Sequence, residues 1–519
     1  MRKRNIDIWI IAQIILVLSF VFVMISRIIH SGLWYDEAVE YFVSKGNVGT
    51  VSGGYTLPSM HEMILSTYQP PLYNWVMHIW LLIFEGEVGF RFSGIVFTII
   101  GGIGFSFALS ELTDKKYALF GTATYLFSFA IMDYTLECAE YNLVLCFVCW
   151  VLYFYIKTIK QGLNKHLIGF FVFACLSVYC QYGAVFIVVP LFIHILTVRV
   201  KNHAINKCFV ISVSITAIVA ALLLLIYLIP QMNMQGAIYA DHSFTLENSN
   251  IFKDIFYSLY KQVRFNIGVS MRNRFFLFVL AMLIVSVVSV FIKKDTPQRI
   301  ILVSAICWAL YYIATGFSIY GYKSWNADSL GTNNIGFRYG LVLIPIMTLC
   351  VYWAFYKFNI EGEGRIKKIS RLAGYTLCIA TTLFVSFYGI KAFYGNGLKD
   401  DMREVTEKWY EEGAYNSTTY VHDWSEPTFL FYLRHNDNYS SDFQNNINVF
   451  RDQNGSVDKD MIYTSLCNMG LFKENDFYYV CPRLSYTDSY DIFIECIQKE
   501  NYKYDILYEG ISTLLYVYR

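Results

Sequence analysis

Charge is what this sequence has least of. Asp, Glu, Lys and Arg make up 16% of its 519 residues and hydrophobic residues 56%, whereas soluble proteins carry about 25% charged residues. That deficit excludes an ordinary water-facing surface and points to lipid as the solvent. The formal net charge is +1, so no global field favours nucleic acid. Several signatures are also missing: a Gly-rich phosphate loop, a Gly-x-Ser-x-Gly elbow and a His-Glu-x-x-His zinc motif. His30, His61 and His78 do not show metal-ligand spacing, and there is neither an internal repeat nor a low-complexity segment. Most of the 12 cysteines lie within apolar stretches, where Cys is a small hydrophobe. The pair Cys146 and Cys149 falls mid-stretch, which argues against a redox or zinc role. Cys467, Cys481 and Cys496 lie in the polar tail, an odd number from which no disulfide follows.

What is present is a series of long apolar runs. About 20 apolar residues span a bilayer as a helix. The first run, Ile8 to Ile29, follows the basic start Arg2, Lys3, Arg4. It is longer than a signal-peptide core and no small-x-small cleavage site follows, so an uncleaved first span is expected. Further spans are expected at Phe92–Leu109, Tyr117–Met132, Cys138–Ile156, Leu167–Tyr179, Tyr182–Thr197, Cys208–Ile229, Phe275–Ile292, Ile300–Tyr320, Phe337–Tyr356 and Leu372–Tyr394. The expectation is thus an α-helical polytopic membrane protein with about eleven transmembrane helices.

Pro70–Phe84 is apolar but short for a span, and loop charge decides how to read it. Basic connections tend to stay inside. Those at Arg2–Arg4, Lys115–Lys116, Lys157–Lys165, Arg199–Lys207, Lys293–Arg299 and Arg365–Arg371 share one side only if Pro70–Phe84 does not cross. It is therefore expected to lie as an interfacial helix (70–84) on the outer surface, within a first outer loop of residues 30–91. The same parity puts Asp133–Glu137, Gln231–Arg274, Gly321–Gly336 and the tail outside, with the N-terminus cytoplasmic. A bacterial plasma membrane suits the overall composition.

The chain divides into a membrane module, residues 1–395, and a tail, residues 396–519, in which charges become frequent and apolar runs short. Helices are expected at Asp401–Glu412, Glu426–Arg434, Lys459–Met469 and Tyr490–Glu500. Strands are expected at Thr418–His422, Ile447–Phe450, Asp476–Cys481, Tyr504–Leu507 and Thr513–Tyr518. This alternation predicts a small extracytoplasmic α/β domain, large enough for its own core.

Several residues offer chemistry. Asp36 and Glu37 are adjacent carboxylates just beyond the first span, a candidate acid/base pair; two solvated loop acids is the alternative. Gln69-Pro70-Pro71-Leu72-Tyr73 opens the interfacial helix with Pro at its start, holding Tyr68, Gln69 and Tyr73 near the membrane surface. Arg91 and Arg338 sit at outer boundaries, where each either snorkels or forks onto a phosphate. Asp133, Glu137 and Glu140 cluster at the third-to-fourth junction, as site acids or as solvated helix ends. Asn416-Ser417-Thr418, Asn438-Tyr439-Ser440 and Asn454-Gly455-Ser456 fit the glycan acceptor pattern.

The order of these features is more specific than any one of them. A basic start and one span lead to Tyr35-Asp36-Glu37-Ala38, then Gln69-Pro70-Pro71-Leu72-Tyr73, Val88-Gly89-Phe90-Arg91-Phe92-Ser93-Gly94, and Glu137 followed by Tyr141. This succession resembles the GT-C superfamily of membrane glycosyltransferases, in the protein mannosyltransferase and aminoarabinose transferase branch with its RgtA/B/C/D-like bacterial members. The resemblance covers roughly residues 30 to 200, with a weaker echo at Phe337-Arg338-Tyr339 and Ile344-Pro345. It implies transfer of a sugar from a polyprenyl-phosphate carrier to an acceptor glycan, lipid or protein outside the cytoplasm, as in cell-envelope modification or protein glycosylation. It further implies Asp36 as catalytic base with Glu37 beside it, and Gln69 where relatives face the lipid phosphate with His or Lys. Arg91 falls near the active site, Arg338 on the carrier phosphate, and Glu137 and Tyr141 at the substrate. No cofactor is required by this reading, and a divalent cation beside Asp36 and Glu37 is compatible with it. One departure stands out: relatives carry Glu-x-Arg-x-Tyr where this chain has Glu137-Cys138-Ala139-Glu140-Tyr141. Two rival classes are a transporter or flippase, and a non-catalytic subunit of the same fold. Transporters place functional charges at the bilayer midplane, whereas the notable charges here lie at one face.

Overall fold

The computed structural model describes residues 8–28, 32–46, 60–67, 69–233, 281–282, 284, 288, 295–316, 338–358, 364–397, 399–450, 459–482 and 489–519. Among them, seven helices are long and apolar enough to cross a membrane: Ile8–Ile25, Gly86–Leu112, Tyr141–Gln161, Tyr182–Lys201, Lys207–Asn233, Gly340–Lys357 and Arg365–Gly395. Asn164–Cys180 is a shorter apolar helix, and a 21-residue helix, Thr296–Gly316, forms at the expected ninth span. The expected span Phe275–Ile292 lies for the most part outside the described residues, as do Tyr68 and most of the connections expected at Gln231–Arg274 and Gly321–Gly336.

The first helix shows why lipid is the solvent. Phe20 and Met24 are buried, whereas Ile10, Ile14, Leu18 and Phe22, spaced four apart, form one exposed stripe. A continuous apolar stripe is costly in water and solvated in hydrocarbon. Helix starts follow ordinary capping. Asp114 accepts from the backbone N–H of Lys116 and Tyr117 at 2.9 and 3.1 Å, and Asn206 accepts from that of Phe209 at 2.9 Å.

One expected span is corrected. Tyr117–Met132 is not continuous: Lys115–Leu126 and Phe129–Thr135 are separate helices, with Phe127 and Ser128 between them. Hydropathy runs smoothly through this break, so composition carries no sign of it. The break is matched from the other side. The Arg365–Gly395 helix packs on both pieces, and a Cβ on its Gly389 would lie 2.1 Å from the Phe127 carbonyl oxygen. Only a glycine lets the two backbones approach this closely.

The chain forms two compact units. One comprises Met1–Ser26, Ile64–Val76 and Arg91–Asn396, and the other Arg27–Met63, Met77–Phe90 and Gly397–Arg519. The first is the helical membrane unit, in which Tyr141–Gln161 pairs with Asn164–Cys180 and Gly340–Lys357 is nearly enclosed. The short helix expected at 70–84 runs from Leu72 to Leu81.

In the second unit the tail follows the sequence expectation closely. Strands β1 Thr419–His422, β2 Ile447–Phe450, β3 Asp476–Pro482, β4 Lys503–Glu509 and β5 Ser512–Tyr518 form one sheet in the order β2-β1-β3-β5-β4. β1 runs parallel to both β2 and β3, while β5 is antiparallel to β3 and β4. The core on one sheet face joins Tyr420, Phe477, Tyr479, Leu515 and Val517 to Phe493 and Ile497 of the Ser489–Lys499 helix. The Glu426–Arg434 helix packs on the Met402–Glu411 helix and on Tyr35–Lys45 of the first loop. Asp401 anchors this arrangement: its carboxylate accepts from the N–H of Ile511 and of Ser512, each at 2.7 Å, and from the Tyr508 hydroxyl at 3.1 Å.

Candidate functional site

Asp36 and Glu37 occupy the first turn of the Tyr35–Lys45 helix, where carboxylates complement the helix dipole. Their environments differ. Glu37 is fully buried, and its Oε2 accepts from the backbone N–H of Trp34 at 3.1 Å. That bond satisfies an otherwise orphaned donor at the helix entrance. Asp36 is half-buried. The dipeptide thus splits into one carboxylate that fixes the helix start and one that reaches solvent.

The approach to this turn is held by polar bonds within the same compact unit. The Leu33 N–H donates to the Tyr432 hydroxyl at 2.7 Å, and that hydroxyl donates to Glu87 Oε2 at 3.0 Å. Arg403 forms an ion pair with the same oxygen at 2.5 Å and lies 5.5 Å from the Tyr432 ring centroid. Further along the helix, Tyr41 packs edge-on against Phe431 and its hydroxyl lies 3.1 Å from His435 Nε2. His78 Nδ1 lies 2.8 Å from the Ser44 carbonyl oxygen, a packed histidine rather than a metal ligand.

A third carboxylate, Asp400, lies within electrostatic reach of Glu37. Asp400 accepts from the Met402 N–H at 2.8 Å. Its pKa is pushed up to about 7, first by burial, with the charges of Asp401 and Glu37 adding to the shift against the opposing Met402 N–H. Sequence reasoning missed Asp400, Glu87, Arg403 and Tyr432. The signal that picked out Asp36 and Glu37, adjacent acids just past a span, also marks Asp400 and Asp401 after the Arg365–Gly395 helix. The other three carry no local mark.

The membrane unit gathers a second set of residues at the junction before the Tyr141–Gln161 helix. Arg91 is 1% exposed, and its guanidinium donates to the Leu136 carbonyl. Asn142 Nδ2 donates to the Tyr134 carbonyl at 2.6 Å, and the Tyr141 ring meets Tyr134 edge-on at 5.0 Å. Gly94 is required here, because a Cβ on it would lie 2.1 Å from the Thr135 carbonyl oxygen. Asp133, Glu137 and Glu140 are all buried, so none is a solvated helix end. Asp133 accepts from Asn396 at 3.1 Å and Glu140 from Gln181 at 3.4 Å.

The structure therefore brings Arg91, Glu137 and Tyr141 to one junction. Ala139, where relatives carry Arg, lies between Glu137 and Tyr141 and is itself buried. Gln69 is tied elsewhere: its carbonyl accepts from Gln231 Nε2 at 2.6 Å, while its own buried Oε1 finds no partner among the described residues. Tyr73 is buried. Arg338 is half-buried at the start of the Arg338–Leu343 turn, which packs on the Tyr141–Gln161 helix. Among the described residues no three His, Cys, Asp or Glu side chains converge as a metal site.

The sequence model of a family described as dolichyl-phosphate-mannose-protein mannosyltransferase matches residues 68–230. No curated protein sequence matches the chain. Among solved structures, the chain is similar to ArnT from Cupriavidus metallidurans bound to undecaprenyl phosphate, at 12% identity and a TM-score of 0.58 over 98% of both chains. It is similar to the Archaeoglobus fulgidus oligosaccharyltransferase in complex with Zn and sulfate, at 12% identity and a TM-score of 0.53 over 91% of this chain and 68% of that one. Arabinofuranosyltransferase AftD from Mycobacteria matches at 10% identity and a TM-score of 0.52, over 98% of this chain and 40% of that one. At these identities the likeness is one of fold. Residues 68–230 are thus similar to a mannosyltransferase family, and the chain as a whole shares the fold of ArnT, with seven helices among the described residues long and apolar enough to cross a membrane.

Proposed function

We propose that the chain transfers a sugar from a polyprenyl-phosphate carrier to an acceptor hydroxyl on the outer face of a bacterial plasma membrane, in cell-envelope glycan or glycolipid modification. The observation that carries this reading is the unequal carboxylate pair at the start of the Tyr35–Lys45 helix, within a fold shared over its whole length with a structure bound to undecaprenyl phosphate. Asp36, the half-buried member, takes the proton of the acceptor hydroxyl. The acceptor oxygen forms its bond to the anomeric carbon from the side opposite the carrier. The bond from that carbon to the carrier phosphate breaks, its electron pair leaves with the phosphate, and the configuration inverts. Glu37, buried and bonded to the Trp34 N–H, positions Asp36 rather than reacting.

Arg338 supplies the fixed positive charge for the departing phosphate. Arg91, which donates to the Leu136 carbonyl, holds the junction that presents Glu137 and Tyr141 to the donor sugar. Tyr68, Gln69 and Tyr73 belong to the segment facing the carrier headgroup, where Gln69 Oε1, which has no partner among the described residues, supports a hydrogen bond to the lipid-linked donor. None of these steps requires an organic cofactor. Membrane lipids and an acceptor glycan, lipid or protein are the partners, and the N-terminus is cytoplasmic.

The test is transfer of radiolabelled sugar from polyprenyl phosphate in membranes, comparing the native chain with Asp36→Asn at matched expression. A fall of roughly a hundredfold or more is expected for removal of a general base. Equal transfer by both would refute the assignment of Asp36.

A further inference from the structure

Trp424 lies where the candidate base and the C-terminal sheet meet within one compact unit, and it is 40% exposed. Its ring packs against Tyr35, centroids 5.1 Å apart with the ring planes at 38°. Tyr35 directly precedes Asp36 on the first turn of the same helix. An exposed tryptophan set against a second ring beside a catalytic carboxylate is more than a surface apolar residue.

The topology of the sheet gives an independent reason to expect a ligand here. From β1 the chain goes to β2 on one side and then crosses to β3 on the other, all three strands being parallel. That is a topological switch point, and ligands of open α/β sheets bind outside the carboxyl ends of the strands at such points. The carboxyl end of β1 is His422, followed by Asp423, Trp424 and Ser425.

Trp424 is anchored rather than dangling. Its N–H donates to Asp423 Oδ1 at 2.9 Å, while the Asp423 N–H donates to the Phe450 carbonyl at the end of β2 at 2.8 Å. His422 Nδ1 lies 2.8 Å from Asp423 Oδ1. His422 and Ser425 are each 1% exposed, and His422 Nε2 and Ser425 Oγ find no partner among the described residues. Orphaned buried polar atoms are rare enough in folded proteins to call for an explanation. Two of them flanking one exposed tryptophan mark a place where polar groups are held in reserve.

We propose that Tyr35 and Trp424 form a saccharide-binding platform that seats the acceptor's sugar ring beside Asp36. The electron-rich face of an indole attracts the partly positive C–H face of a sugar ring, while the hydroxyls at the ring edge remain available to carboxylates. This assignment makes the acceptor a carbohydrate rather than a peptide side chain or a lipid tail, and it rests on the transferase reading for the word acceptor. As a saccharide site it stands on the ring pair and the strand ends alone.

The test uses the full chain in nanodiscs, labelled with fluorotryptophan and followed by fluorine NMR. The Trp424 resonance is the one that disappears in Trp424→Phe, with Trp424→Tyr as the alternative should phenylalanine disturb the fold. The probes are the methyl pyranosides of mannose, glucose and galactose, with mannitol as a polyol lacking a ring face. The Trp424 signal is expected to shift saturably with at least one pyranoside and not with mannitol, and Tyr35→Ala is expected to weaken that binding roughly tenfold. No shift with any pyranoside, or an equal shift with mannitol, would overturn the platform and leave the ring pair as packing. Sugar transfer measured on the same preparation separates the two readings. A saturable shift without transfer keeps the platform and refutes the transferase, whereas transfer without a shift does the reverse.

Discussion

Replacing Tyr432 by Phe removes one oxygen atom and leaves the ring, its packing and the Arg403 guanidinium over its face in place, while the hydrogen bond between the hydroxyl and Arg403 is lost. The hydroxyl accepts from the Leu33 N–H at 2.7 Å and from Arg403, and donates to Glu87 Oε2 at 3.0 Å. Glu87 keeps its ion pair with Arg403, so the carboxylate is not left alone. Leu33 has no such reserve: it is fully buried, and its N–H loses the hydroxyl that accepts it. An unsatisfied buried donor costs about 1–3 kcal/mol, and the lost bond to a charged acceptor adds to this. The balance is a local destabilisation of about 2 kcal/mol, or roughly a thirtyfold rise in local opening. Because Leu33 stands three residues before Asp36, the opening falls on the stretch of chain that leads into the Asp36 turn. Amide hydrogen exchange read by mass spectrometry should show residues 32–38 exchanging roughly thirtyfold faster in Tyr432→Phe, with β3 unchanged. Sugar transfer should fall in the same variant. Exchange within about twofold of the native chain in that segment would refute the claim that this hydroxyl holds the turn carrying Asp36.

Two further outcomes follow from other parts of the molecule. Asp400 has its pKa raised from 3.8 to about 7, first by burial, so between those values the folded state holds a proton that the unfolded state releases. Stability therefore declines as pH rises through that window and levels off above it. Asp400→Asn should flatten this slope in thermal unfolding and be more stable than the native chain at about pH 8; an unchanged slope would remove Asp400 as its source. Gly389→Ala gains about 1 kcal/mol in helix propensity, but its Cβ would lie 2.1 Å from the Phe127 carbonyl, which as backbone cannot swing aside. A net loss of about 1–3 kcal/mol is expected, and an equal or higher unfolding midpoint would show that the break at Phe127 relaxes freely.

Much of the architecture was legible because its signals are local. Apolar runs of bilayer length became helices at nearly the expected places, and the tail alternated as read: the helix expected at Asp401–Glu412 spans Met402–Glu411, and the strand expected at Ile447–Phe450 has those bounds. The adjacent acids at Asp36 and Glu37, and the order of motifs through Tyr141, sufficed to point to the fold the chain shares with ArnT and to the family whose model matches residues 68–230. The interruption at Phe127 and Ser128 was not legible, because apolar composition continues across it and its partner, Gly389, lies more than two hundred residues away.

The sequence by itself determined the solvent, the run of helices, the α/β character of the tail and the carboxylate pair. Each follows from residue type and spacing within a window of a few tens of residues. Tertiary packing alone made Glu37 buried and Asp36 half-buried, turned the Arg91 guanidinium onto a backbone carbonyl, and brought Asp400 near Glu37. It also decided the strand order that puts Trp424 against Tyr35, and the bond from Leu33 to Tyr432. The physical reason is that burial and hydrogen-bond partners are set by whichever segments pack together. Here those segments are separated by 45 residues for Arg91 and Leu136 and by 399 for Leu33 and Tyr432, distances over which periodicity and propensity carry no information.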